Sequence, residues 1–169
     1  DVVAMLRERQ TNGSYGVRYT KSGIGLPLGN AVIGGKNAIA PPLVVHRDEA
    51  GVARAEVTLG AAYEGPSGCA HGGVVAMLLD HVLGDASSAD GDPCVTGTIS
   101  VRYLQPTRLG VVRLEAAVDH RTGRKKIIRG TLSTDDGVTA EAEGIFIVPR
   151  EYAGEVPTHS AHTAGADVG

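Results

Sequence analysis

The residues best suited to chemistry fall in one stretch, Gly65 to Ser88, which reads GPSGCAHGGVVAMLLDHVLGDASS. A loop dense in Gly, Pro and small residues runs into His71-Gly72-Gly73. An apolar-periodic segment follows at once, with the carboxylate of Asp80 placed inside it. Where a loop feeds a helix N-terminus, the N–H groups of the first turn have no intrahelical acceptor, and the aligned peptide dipoles add partial positive charge there. Such a terminus suits an oxyanion or a polarised carbonyl.

The elements that must hold these groups are legible from periodicity. At 100° per residue Val74, Val75, Leu78, Leu79, Val82, Leu83 and Ala86 share one broad face, the stripe of a helix buried against something apolar. Asp80 lies nearly opposite, among Gly73, Ala76, Met77, Gly84 and Ser87, and this strip of small residues allows close approach by another backbone, a partner helix or a ligand. Glycine inside a helix costs about 1 kcal/mol against alanine, so Gly73 and Gly84 invite a packing or functional reason.

Before this helix, Asp1 to Gln10 has the pattern of a short helix, and Tyr15 to Gly35 reads as irregular, partly packed chain. Leu43 to His46, the turn Asp48-Glu49-Ala50-Gly51, and the alternating run Val52 to Leu59 form a hairpin. After it, Val95 to Tyr103 alternates, with Val95, Ile99, Val101 and Tyr103 on the apolar side and Thr96, Thr98, Ser100 and Arg102 on the polar side. Val111 to Asp119, Lys125 to Ser133 and Val138 to Val148 follow, joined by tight turns that imply antiparallel neighbours. One helix over roughly six such strands is an α+β layer. Pro149 to Gly169 has no periodicity and reads as a mobile tail.

Composition sets the outer bounds. With 169 residues, 42% hydrophobic and 21% charged, the chain suits one domain with a real core. A formal net charge of −3 with mixed signs gives no nucleic-acid footprint. The longest apolar run, Val74 to Leu79, is far short of the roughly 20 residues of a membrane span, so no membrane insertion is expected. Two cysteines, Cys69 and Cys94, make no disulfide framework and suit a cytoplasmic location. His46, His81, His120, His159 and His162 show no metal spacing, so no metal site is expected.

The run Tyr63 to Gly73 with its HGG, the acid nine residues after His71, and the strand Val95 to Tyr103 ending in Gln105-Pro106 resemble the hotdog-fold acyl-CoA thioesterases. The nearer likeness is to the phenylacetyl-CoA and thioesterase-superfamily-member type. The resemblance spans about Pro41 to Val148 and implies a hotdog fold, one long central helix wrapped by a five- to six-stranded antiparallel sheet. It divides the chain into an N-terminal helix and irregular segment (1–40), the hotdog domain (41–149) and the tail (150–169).

What the resemblance implies for the residues is specific. Asp80 acts as nucleophile or as general base on water, Thr96 helps hold the water, and the N–H of Gly72 or Gly73 polarises the thioester carbonyl. Asp80 stands roughly 12 Å along the helix from Gly72, too far for both to touch one carbonyl. In the family the acid comes from the facing subunit, so a homodimer or a dimer of dimers with shared sites is expected. His71 either hydrogen-bonds the thioester or packs at the helix start, and Glu64 is a second acid beside the site. Cys69 is two residues from His71, too near for attack geometry, with no orienting group. Arg124, Lys125 and Lys126 are candidates for the phosphates of coenzyme A. No cofactor is expected beyond the CoA of the substrate. The runners-up are a hotdog hydratase or dehydratase on enoyl or hydroxyacyl thioesters, with His71 paired to Glu64 or Asp80, and a non-catalytic acyl-CoA-binding protein.

Overall fold

The computed structural model describes residues 2–8, 13–14, 16–21 and 25–150. The expected tail, with His159 and His162, falls outside them beyond residue 150. Helix α1 (Val2–Glu8) opens the chain. Within the stretch read as irregular, β1 (Arg18–Tyr19) and β2 (Gly25–Leu26) form a two-residue ladder. Strands β3 (Val45–Arg47) and β4 (Ala53–Leu59) make the expected hairpin, and a short 3-10 turn covers Ala61–Tyr63. Helix α2 (Gly72–Ser87) follows. Then come β5 (Val95–Tyr103), β6 (Gly110–Thr122), β7 (Lys125–Thr134) and β8 (Gly137–Ile147).

Six strands form one antiparallel sheet in the order β3-β4-β6-β7-β8-β5. The strand next after the helix therefore lies at the far edge. Helix α2 lies across the sheet and buries Val75, Leu78, Leu79, Val82, Leu83 and Ala86 against it. Each large apolar side chain so buried contributes roughly 1.5–3 kcal/mol. Val32 and Leu43, from the stretch before β3, join the same core, and Leu43 N–H donates to the Val32 carbonyl at 3.1 Å.

The helix sits close because the sheet makes room for it. Leu83 enters a notch beside Gly130 and Gly144. A Cβ at Gly130 would lie 2.9 Å from Leu83 Cδ1 and 2.8 Å from the Glu115 carbonyl oxygen, and one at Gly144 would lie 2.9 Å from Leu83 Cδ2. Two small residues of the helix strip turn inward as well. Gly84 faces Phe146, 3.5 Å from where a Cβ would stand, and Ser87 is fully buried with its hydroxyl on the Gly84 carbonyl. That part of the strip serves this chain's own packing rather than the approach of a partner helix or a ligand.

Strand β5 also departs from its alternation. The register slips between Thr96, opposite Phe146, and Thr98, opposite Ile145, so Gly97 is the extra residue of a bulge. A one-residue slip sends a side chain to the other face. Thr96 therefore turns toward the helix together with Ile99, Val101 and Tyr103, and Val95 turns out to 55% exposure. The regular alternation had placed Thr96 on the opposite face from those three.

Gly130→Ala tests the notch. The new methyl meets a backbone oxygen that cannot swing away, so unfolding free energy is expected to fall by about 1–3 kcal/mol. Urea titration reads this as a lower midpoint at an unchanged slope.

Candidate active site

The loop before α2 is closed by its own residues. Glu64 Oε1 accepts from the Gly68 N–H at 2.6 Å, Gly65 N–H donates to the Cys69 carbonyl, and Cys69 N–H donates to the Pro66 carbonyl. Ala70 N–H donates to Thr107 and Leu109 N–H to Gly68, which stitch the loop to the connection after β5. His71 N–H donates to the Tyr63 carbonyl at 2.8 Å. The loop thus delivers His71 to the helix start with φ −64° and ψ 135°.

At that start the two glycines differ. His71 is the N-cap, and its Nδ1 accepts from the Gly73 N–H at 3.0 Å. With Nδ1 as acceptor, the proton of the neutral ring sits on Nε2. The Gly72 N–H meets no acceptor among the described residues, so of the two donors expected from sequence Gly72 is the one left free. Its carbonyl accepts from the Tyr103 hydroxyl at 2.8 Å.

Eight residues along, Thr96 Oγ1 donates to Asp80 Oδ1 at 3.0 Å. The structure thus brings together two of the expected residues, Asp80 and Thr96, and separately groups His71, Gly72 and Gly73. Between the groups lies roughly 12 Å of helix. Glu64 reaches neither, its carboxylate being bound into the loop, and Cys69 is buried.

The basic turn divides as well. Lys126 is 1% exposed, and its ammonium is held by Asp90 and by the Ser87 carbonyl at 2.7 Å, capping the C-terminal end of α2. Burial opposes ionisation of Asp90, but the Lys126 hydrogen bond and neighbouring charges hold its carboxyl below the usual range. Arg124 donates to the Val148 carbonyl, and Lys125 is exposed. Lys126 is therefore engaged within the chain, while Arg124 and Lys125 face outward.

A polar group beside Asp80 was not foreseen. His81 is half-buried, and burial pushes its pKa down even though Asp85 and Asp80 pull it up. Burial raises Asp85, against Arg47 and His81. Arg47 Nε comes within 2.8 Å of Asp85 Oδ1, but off the line of a hydrogen bond, so that buried oxygen has charge compensation without an aligned donor. The i, i+4 spacing of His81 and Asp85 was the available signal. Tyr103 was likewise read only as a strand residue.

Among the described residues no group of three or more His, Cys, Asp or Glu is placed to hold a metal ion, and no helix is long and apolar enough to cross a membrane.

Comparison with known proteins places this arrangement. A family model described as the thioesterase superfamily matches residues 67–141. The crystal structure of a thioesterase superfamily protein is 36% identical, with 86% of this chain and 77% of that one covered, at a TM-score of 0.73. A phenylacetic acid degradation-related protein from Ralstonia eutropha is 26% identical over 64% of this chain and 86% of its own, at a TM-score of 0.59. A Bacillus halodurans protein solved with CoA is also 26% identical, over 65% of this chain and 76% of its own, at 0.59. The chain belongs to the thioesterase superfamily, and its sheet and long helix form the hotdog fold.

The His81 environment has a consequence for pH. Below the ordinary histidine value of 6.5, the unfolded chain binds a proton at residue 81 that the folded chain resists, so stability falls on acidification. Asp85 acts oppositely, since the folded chain protonates it above 3.8, where the unfolded chain is still ionised. His81→Asn is expected to lose less stability than the parent between about pH 7 and about pH 5.5, read from urea midpoints at each pH. Equal losses would count against this account.

Proposed function

We propose that this protein hydrolyses acyl-CoA thioesters to the free acid and coenzyme A. The observation that carries the reading is the Thr96–Asp80 hydrogen bond on the same helix whose first N–H, that of Gly72, has no acceptor among the described residues. The Bacillus halodurans relative with bound CoA supports the choice of thioester.

The thioester carbonyl accepts from the Gly72 N–H, a donor fixed by the helix, and from Nε2–H of His71. Thr96 donates to Oδ1 of Asp80, which leaves Oδ2 to take a proton from water, while the Thr96 oxygen retains lone pairs to hold that water. Water adds to the carbonyl carbon, its proton passes to Asp80, and the oxyanion forms against Gly72. Collapse expels the CoA thiolate, which takes up the proton. Attack by Asp80 itself would give a mixed anhydride; the placement of Thr96 favours the water route. Arg124 and Lys125 are the members of the basic turn we assign to the CoA phosphates; Lys126 is held by Asp90.

Because 12 Å of helix separates donor from base, the working site takes Gly72 from one chain and Asp80 from a second. Strand β5 supports one way of joining them. It is an edge strand of nine residues, a template for pairing with another chain. Thr96, beside Asp80, is near one end, and Tyr103, beside Gly72, is at the other. Antiparallel pairing of β5 with its copy about Ser100, with the bulged Gly97 left out of the ladder, sets Thr96 of one chain opposite Tyr103 of the other. That arrangement joins the two half-sites.

Asp80→Asn and Gly72→Pro test base and donor. Proline suits the first helical position and removes only the N–H; a Cβ there meets Tyr103 at an ordinary 3.6 Å, and His71 is already extended as a residue before proline must be. Asp80→Asn is expected to lower kcat at least about 100-fold in a thiol-release assay over short, branched, long-chain and aryl acyl-CoAs. Unchanged hydrolysis would overturn the mechanism. Co-refolding the two inactive variants is expected to restore about a quarter of parent activity, because half the dimers are mixed and each holds one intact site. No recovery would mean that the site is not shared. Hydration of an enoyl-CoA without thiol release would favour the hydratase reading, and tight binding with neither reaction the non-catalytic one.

A further inference from the structure

We infer that Tyr103 is a positioning residue for the hydrolysis proposed above, on which this inference rests. It fixes the tautomer of His71 through a single peptide unit. The Gly72 carbonyl, which accepts from the Tyr103 hydroxyl at 2.8 Å, and the Gly73 N–H, which donates to His71 Nδ1 at 3.0 Å, belong to the same peptide. Tyr103 O–H, peptide 72–73 and the His71 ring therefore form one chain of hydrogen bonds. A peptide whose oxygen accepts is polarised toward stronger donation at its nitrogen. The tyrosine proton thus strengthens the bond that holds Nδ1 as an acceptor and leaves the ring proton on Nε2, facing out.

The ring adds a steric constraint. Tyr103 Cε1, Cζ and the hydroxyl oxygen each lie 3.6 Å from where a Cβ at Gly72 would stand, so the hydroxyl end of the ring lies against the glycine that carries the donor. Tyr103 is 52% exposed, yet it is not free to swing. Its backbone pairs with Ala140 on β8, and the next two N–H groups, of Leu104 and Gln105, both donate to the Thr139 carbonyl. A half-exposed tyrosine held at its backbone and bonded at its tip places its hydroxyl reproducibly, as a group acting on a catalytic donor must.

Tyr103→Phe keeps the ring and removes the hydroxyl. Two readouts apply to the full-length protein. Acyl-CoA hydrolysis is expected to fall about fivefold in kcat with KM unchanged, the loss of one hydrogen bond that matters in the transition state. The imidazole 15N resonances of His71 are expected to move from a single Nε2–H tautomer toward the average of two, with the Gly73 amide proton shifting upfield. An unchanged kcat, or unmoved His71 nitrogens, would each overturn the inference. A parent that releases no thiol from any acyl-CoA would overturn the hydrolysis reading instead, and the His71 nitrogens alone would then decide whether Tyr103 sets the tautomer.

Discussion

Helix α2 is a rigid rod that carries a donor at its first residue and a carboxylate two turns later, and a rise of about 1.5 Å per residue keeps them roughly 12 Å apart. No side-chain rotation closes that gap. On the proposed mechanism a thioester carbonyl needs both within contact, so the two groups of one chain cannot serve one substrate. The edge strand β5 is the element that touches both, through Thr96 at one end and Tyr103 at the other. The proposed pairing of two such edges follows from this spacing.

The rod is useful only if it is held without play, and its ends and middle are fixed by different physics. At the N-terminus His71 satisfies the Gly73 N–H, while the Gly72 N–H has no acceptor among the described residues. At the C-terminus the buried Lys126 ammonium meets the Ser87 carbonyl, where the helix dipole favours positive charge, and Asp90 compensates that charge. Between them Leu83 lies in the notch made by Gly130 and Gly144. A side chain at either glycine would lift the helix and shift both half-sites together. Conversely, a close-packed apolar interface of this kind tolerates little sliding, which is what gives Asp80 and Gly72 fixed positions relative to the sheet edge.

The helix, its buried stripe, the strand order of the meander and the HGG-to-acid spacing were legible because each depends on local periodicity, capping and short turns. Directions that depend on nonlocal geometry were not. Thr96 was picked out as a residue, but its face was misassigned, because the Gly97 bulge is a property of how β5 meets β8 and leaves no mark in the alternation. Gly84 and Ser87 read as room for a partner helix or a ligand beside Asp80, but Phe146, some sixty residues on, lies against Gly84. Lys126 read as a surface cation because a charged triplet after a turn normally is one; only the fold puts Asp90 within reach to offset the cost of burying it. Tyr103 carried no chemical signal at all, since its partner is a backbone carbonyl.

The same hydrogen bonds weigh between hydrolysis and hydration. A hydratase needs a base to move a proton to or from carbon, and histidine serves as one through an unprotonated ring nitrogen. In this site Nδ1 of His71 is already occupied by the Gly73 N–H, and the neutral ring therefore carries its proton on Nε2. His71 can donate to a carbonyl oxygen but has no vacant lone pair with which to take a proton. Glu64 is no substitute, because its Oε1 closes the loop on Gly68. Asp80, steadied by Thr96, is the proton acceptor that remains, and in the proposed shared site it would stand with the Thr96 hydroxyl across from the N–H donors of a second chain, a set of groups matched to adding water at a carbonyl carbon.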